Sequence, residues 1–128
     1  MKEVMAIIRM NKMNQTKRAL ADTGVASFCA RKVVGRGKGH VDYLLMKGAE
    51  AGCEEAIVQL GPGPKMIPKR LLNIVVPDDL VASVVRTIIE VNKTGNPGDG
   101  KIFVMPVLDA FRVRTAESGD AALDENVN

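Results

Sequence analysis

The stops Asp22-Thr23-Gly24 and Lys93-Thr94-Gly95 each end an amphipathic stretch, and each stretch sits between apolar, β-branched runs. That repetition constrains the fold more than any other feature. The first stretch, Asn11 to Ala21, places Met13, Thr16 and Leu20 at helical spacing, and Gly24 ends it. The second places Val81, Val84, Val85 and Ile88 in one continuous apolar stripe ending near Asn92, with Asp78 or Asp79 as its N-cap. Around them, Lys2 to Met10, Phe28 to Val34, Leu71 to Val76 and Ile102 to Val107 read as strands. Phe111 to Thr115 offers a short fifth.

The resulting order is β-α-β-β-α-β, in two similar halves. Such a split repeat folds as an α+β sandwich of the ferredoxin-like kind, an antiparallel sheet with both helices on one face. The strands are apolar on both sides, so the open sheet face calls for a partner, most simply further copies of the chain. With 128 residues the chain reads as a single domain, 1–128, able to bury a core without disulfide staples. No apolar run approaches the roughly 20 residues of a membrane helix and no signal peptide is visible, so a cytoplasmic location is expected. Cys29 and Cys53 read as two reduced thiols, with a redox pair as the alternative.

Charge is unevenly spread. Between Arg9 and Lys47 stand nine basic residues against Asp22 and Asp42, whereas the segment 116–128 is acidic and reads as a flexible tail. A basic surface suits a nucleotide, a nucleic acid or an acidic protein face, and a solvated helix face accounts for Lys17 and Arg18.

The chemistry-bearing stretch is Thr94 to Val104, where Gly95, Gly98 and Gly100 precede Lys101. Glycines let backbone amides converge into an anion-binding nest, and a lysine at its rim adds positive charge. The spacing nearly spells a Walker A loop. Ile102 stands where that motif needs Ser or Thr, and the run passes from helix into strand, the reverse of a Walker loop. A phosphate loop is expected and a P-loop NTPase is not; at most a feeble ATPase is expected. Asp99 beside Lys101 hints at phosphoryl chemistry, but a carboxylate among glycines more often holds the turn through Asx hydrogen bonds. His40 is the single histidine, and no Cys/His/carboxylate cluster has metal-ligand spacing. The chain therefore reads as a non-enzyme.

From Arg36 to Ile67 no period is sustained over about 30 residues, beyond the usual limit for a structureless loop in a compact domain. A disordered insertion, a short helix around Ala49 to Val58, and a mobile effector loop that orders on binding are the readings. The effector loop is favoured, because the segment opens on its own Gly35-Arg36-Gly37-Lys38-Gly39.

Taken together, several blocks resemble the PII signal-transduction proteins. They are Ala6-Ile7-Ile8-Arg9, Gly35-Arg36-Gly37-Lys38-Gly39-His40, Lys47-Gly48-Ala49-Glu50, Pro68-Lys69, Ile74-Val75-Val76-Pro77-Asp78-Asp79, Gly98-Asp99-Gly100-Lys101-Ile102-Phe103-Val104 and Arg112-Val113-Arg114-Thr115. The resemblance runs from Lys2 to about Asp120 and implies a homotrimer that binds ATP or ADP in clefts between neighbours. It implies that Gly98, Asp99, Gly100 and Lys101 cradle phosphates, that Arg112 and Arg114 add guanidinium forks, and that Gly35, Gly37 and Lys38 approach the nucleotide. The two arginines alternate along a segment expected to be extended, so both should point the same way. Lys69 matches the family lysine that contacts 2-oxoglutarate beside MgATP.

The chain also departs from that pattern. No glutamine precedes Lys38-Gly39, where the family holds Mg2+ and 2-oxoglutarate, and Gln59 lies elsewhere. Asn73 stands for a usual acidic residue and Cys29 for a hydroxyl residue near the adenine. The family's modifiable tyrosine is missing after Gly48-Ala49-Glu50, and Tyr43 lies elsewhere, so uridylylation is not expected. The lengthened loop resembles the longer of two PII-like proteins found with nitrogenase, which implies dinitrogenase and a second PII-like protein as partners. Glutamine synthetase or an ammonium channel is the alternative target. An RNA-binding module is the rival class, but among Phe28, Tyr43, Phe103 and Phe111 only Phe103 lies on the strand that would need stacking platforms. No nucleic-acid partner and no membrane insertion are expected.

Overall fold

The computed structural model describes residues 1–25, 27–36 and 66–123. Its regular elements are β1 (Lys2–Arg9), α1 (Met13–Asp22), β2 (Cys29–Gly35), β3 (Ile67–Val76), α2 (Val81–Asn92) and β4 (Lys101–Pro106). The strands form one antiparallel sheet in the order β2-β3-β1-β4. This is the ferredoxin-like arrangement expected from the two strand–helix halves.

Strand parity decides which side chains meet the helices. In β1, Val4, Ala6 and Ile8 are buried at every second position, and in β3 Leu72, Ile74 and Val76 share their face. Leu20 and Val25 from the first half, and Val84 and Ile88 from α2, complete the core. Each large aliphatic side chain buried there contributes about 1.5–3 kcal/mol. The opposite face carries Met5, Ile7, Leu71, Lys69, Arg9, Lys101 and Phe103, related by the same register. Phe103 remains 43% exposed on it.

The two Thr-Gly stops prove to be different devices. At the end of α1, Gly24 takes a φ of 92°. The Val25 amide reaches back to Leu20 O and the Gly24 amide to Ala21 O, and Val25 packs into the core, a Schellman closure. After α2 the chain turns extended at Lys93, and Gly95 is held instead by the carboxylate of Asp99.

Several expectations are corrected. β3 starts at Ile67, four residues before the apolar run suggested, and Ile67 pairs with Gly35. Neither Asp78 nor Asp79 caps α2 through its side chain; a 3-10 turn, Asp78–Leu80, leads into the helix. Asp78 instead pairs with the Met1 amine at 2.9 Å and Lys2 Nζ at 3.0 Å, and these hydrogen bonds, the amine's first, lower its carboxyl pKa. Phe111 to Thr115 is not a strand: a single bridge joins Phe111 to Ser118, and residues 113–115 form a turn. Within the acidic segment, Gly119–Ala122 forms a 3-10 turn and Leu123 is buried. The supposed helix at Ala49 to Val58 and most of the expected effector loop lie outside the described residues. Among the described residues no helix is long and apolar enough to cross a membrane.

Candidate functional site

The glycine run between α2 and β4 is a built turn, organised by its one carboxylate. Asp99 Oδ2 accepts the amides of Thr94 at 2.8 Å and Gly95 at 3.0 Å, and Oδ1 accepts the Thr94 hydroxyl and the Arg9 guanidinium. The Asn96 amide donates to Thr94 Oγ1 at 3.1 Å. Partial burial pushes the Asp99 carboxyl up, but the Thr94 hydroxyl, Arg9 and the two amides outweigh it and hold the group well below the usual carboxylate range. The first half of the run is thereby committed to its own turn. The stretch expected from sequence to cradle phosphate is the second half, Gly98 to Lys101.

That half lies against the end of the sheet. Gly95, Gly98 and Gly100 have φ of 84°, 97° and 115°. A Cβ on Gly100 would lie 2.0 Å from Ile7 O, so the loop backbone rests directly on β1. A Cβ on Gly98 would meet Arg9 Nη2 at 3.2 Å and Lys69 Nζ at 3.5 Å. Lys69 Nζ donates to Gly98 O at 2.7 Å, and Arg9 Nη2 donates to Pro97 O at 2.9 Å. Lys101, exposed, opens β4 opposite Ile7. Two cations thus hold one glycine-lined turn whose own carboxylate is already paired, and a third residue of that charge, Lys101, follows directly at the start of β4, a setting suited to phosphate or carboxylate oxygens.

The structure brings Lys69, Gly98, Asp99, Gly100 and Lys101 together. Gly35, which pairs with Ile67 two residues before Lys69, lies at the same end of the sheet. Gly37 and Lys38 lie outside the described residues. Arg112 and Arg114 are elsewhere. β4 carries the chain from Lys101, beside Ile7, to Pro106, beside Lys2, and the Val107 amide then meets Met1 O. The two arginines follow from that far end. They sit on a turn, not an extended segment, so the expectation of parallel side chains fails: Arg112 is folded inward and Arg114 is exposed. Arg112 Nη1 donates to Glu117 Oε1 at 2.7 Å, and Nη2 reaches the carbonyls of Ala121 and Ala122. The Thr115 hydroxyl, ahead of Arg112, lowers the Glu117 pKa. Ala116 closes the turn at a φ of 62°.

Arg9 belongs to the opening-strand motif Ala6-Ile7-Ile8-Arg9, to which the sequence attaches no role. The signal was present: Arg9 ends an apolar strand on the parity of Met5 and Ile7, which places it on the open face beside Lys69. Among the described residues no group of three or more His, Cys, Asp or Glu side chains could hold a metal ion.

Comparison with known proteins gives the family. The family model for nitrogen regulatory protein P-II matches residues 1–117. A nitrogen fixation nifHD region GlnB-like protein 2 of Methanobacterium ivanovii is 45% identical over 128 residues, covering 96% of this chain and 99% of that protein. A protein of the same description from Methanococcus maripaludis is 45% identical over 123 residues, covering 96% of this chain and all of its own. Nitrogen regulatory protein P-II 1 of Escherichia coli (strain K12) is 40% identical over 125 residues, covering 96% and 100%. Matched along nearly its whole length, and folded as the two strand–helix halves require, the chain belongs to the nitrogen regulatory protein P-II family.

Proposed function

We propose that this protein reports nitrogen status by binding ATP or ADP at Gly98 to Lys101, in clefts between the subunits of a homotrimer, and that it acts on nitrogenase. The observation that carries the reading is the glycine turn with its internal anion neutralised, Arg9 and Lys69 at its edge, and Lys101 next in the chain. Gly98 and Gly100 accept no side chain without strain, as a cradle approached closely by phosphate requires. Lys101 would supply the ammonium. Arg112 and Arg114 would contribute from a neighbouring copy, since within one chain they follow from the opposite end of β4. Lys69 would hold a carboxylate of 2-oxoglutarate where that ligand binds with MgATP.

The nucleotide is read here as a signal and not as fuel. Its phosphate state changes contacts at the base of the segment that follows Gly35, and the segment then presents or withholds an interface. A tenfold change in target affinity needs a preference of about 1.4 kcal/mol for one state, within ordinary allosteric coupling. The nitrogenase target, with a second PII-like protein, is supported by the nitrogen-fixation-region names of the relatives and by the long segment between β2 and β3. The comparable identity to P-II 1 of Escherichia coli favours a second reading, control of glutamine synthetase or an ammonium channel. A cytoplasmic location accompanies either.

The test is calorimetric titration of the full chain with ATP, ADP, and MgATP plus 2-oxoglutarate, beside Lys101→Ala. Lys101→Ala should lose most ATP affinity and remain trimeric by light scattering. Unchanged nucleotide binding in that variant refutes the site, and a monomeric wild type refutes the cleft.

A further inference from the structure

A carboxylate at the centre of a phosphate loop poses an electrostatic problem. Asp99 is needed there, because no other side chain among the described residues holds the amides of Thr94 and Gly95. Its negative charge opposes the anion that the same loop is read as binding. We propose that Arg9 is the positioning residue of this loop: its guanidinium neutralises Asp99 and fixes the turn, so that Gly98 to Lys101 faces a polyphosphate with the loop's own charge cancelled. The inference rests on the reading of Gly98 to Lys101 as a phosphate cradle.

The geometry supports both roles. Arg9 closes β1, and from that fixed position its fork spans the turn. Nη1 pairs with Asp99 Oδ1 and lies 3.5 Å from Thr94 Oγ1, while Nη2 donates to Pro97 O at 2.9 Å. One planar group therefore touches the beginning, middle and end of the run. The Arg9–Asp99 pair is mostly shielded from water, with side chains 17% and 25% exposed, so salt screens it less than a surface pair. Gly98 makes the approach possible, because a Cβ there would crowd the Arg9 head at 3.2 Å. A lysine could match the charge but could not hold Asp99 and the Pro97 carbonyl at a fixed angle. Lys69, directly opposite Arg9 in the β1–β3 register, holds the next carbonyl, Gly98 O. The two strands thus grip consecutive peptide units of the loop.

The experiment titrates the full chain with AMP, ADP and ATP by calorimetry, using wild type, Arg9→Met, Arg9→Lys and the double variant Arg9→Met/Asp99→Asn. Arg9→Met should lose at least tenfold in ATP affinity, with the loss growing from AMP to ADP to ATP. A role limited to folding would lower all three alike. The double variant should regain part of the loss, because removing the Asp99 charge removes the repulsion that Arg9 had cancelled. Arg9→Lys should fall between wild type and Arg9→Met. If Arg9→Met does not fold, Arg9→Lys carries the test: a loss of threefold or more for ATP supports the fork, and affinity within twofold of wild type overturns it. An Arg9→Met protein that binds ATP within twofold of wild type, or loses the three nucleotides equally, overturns the proposal while leaving the cradle standing. A wild type that binds none of the three overturns the cradle reading and this proposal with it.

Discussion

Asn92 Nδ2 donates to the hydroxyl of Thr16 at 3.0 Å, joining the last turn of α2 to the middle of α1 inside the core. Thr16 itself donates to Lys12 O, and Asn92 also donates to Ile88 O. Among the described residues the buried Asn92 Oδ1 has no hydrogen-bond partner, which offsets part of what the pair contributes. Asn92→Ala should therefore cost about 1–3 kcal/mol in urea unfolding. Replacing both partners, as Thr16→Val/Asn92→Leu, should cost less than the sum of the single variants, because no polar atom is then stranded. Strict additivity would show that the contact carries no coupling.

Two glycines of the same turn should tolerate alanine very differently. Both have positive φ, which alone costs about 1–3 kcal/mol with a side chain. At Gly98 the added methyl meets only side-chain ends, Arg9 Nη2 at 3.2 Å and Lys69 Nζ at 3.5 Å, and a small displacement of those ends relieves the contact. At Gly100 it meets the Ile7 carbonyl, part of the β1 backbone. Gly100→Ala should lower the urea midpoint clearly more than Gly98→Ala and perturb the amide resonances of Ile7 and Ile8. Equal midpoints would mean that the loop does not rest on β1.

Acid should expose the contribution of Asp99. Its folded-state pKa is depressed, so it stabilises the fold above the ordinary carboxylate value of about 3.9. That stabilisation is lost as pH falls from there toward the depressed value. Asp99→Asn should destabilise the protein by about 1–3 kcal/mol at pH 7, the scale of hydrogen bonds to a charged group. The gap to wild type should narrow below about pH 4, where protonation of the unfolded wild type begins to matter. Denaturant curves at pH 7, 5 and 3 read the trend, and a constant gap would refute it.

Ala116 is the one non-glycine residue at positive φ among those described. The left-handed region costs a residue with a Cβ roughly 1 kcal/mol, against which glycine gives up backbone entropy on folding. Ala116→Gly should leave stability within about 1 kcal/mol of wild type or raise it, and Ala116→Val should lower it by more than Ala116→Gly. Thermal melts of the two variants decide the order.

The fold was legible where a residue's own periodicity decides its neighbours. Val4, Ala6 and Ile8 declare a strand face, and Val84 and Ile88 a helix stripe, without knowledge of anything distant. The first residues of β3 were not legible, because Ile67 to Arg70 mixes Pro68 with two cations and lacks an apolar run; pairing with β2 makes it a strand. Lys69, Gly98 and Lys101 were named from sequence and do converge, whereas the Arg9–Asp99 pair joins residues 90 positions apart and no local pattern announces it. The same holds for the caps. Thr23-Gly24 and Thr94-Gly95 look alike as letters, yet one closes through the next residue, Val25, and the other through Asp99. The turn carrying Arg112 and Arg114 was misread because alternation implies a strand only when another strand is present to pair with it.

The contact of Gly100 with Ile7 has a genealogical side. Every amino acid reachable from a glycine codon by one nucleotide change carries a Cβ, and at this position any Cβ lands on a carbonyl oxygen of the first strand. No neighbouring codon offers a gentler step. A lineage cannot leave glycine here gradually; it must first move β1 or abandon the turn. Gly95, whose Cβ would enter open space, faces only the milder backbone cost and is free to wander toward asparagine. The two glycines should therefore age at different rates, Gly100 keeping its identity in sequences where Gly95 has already been lost.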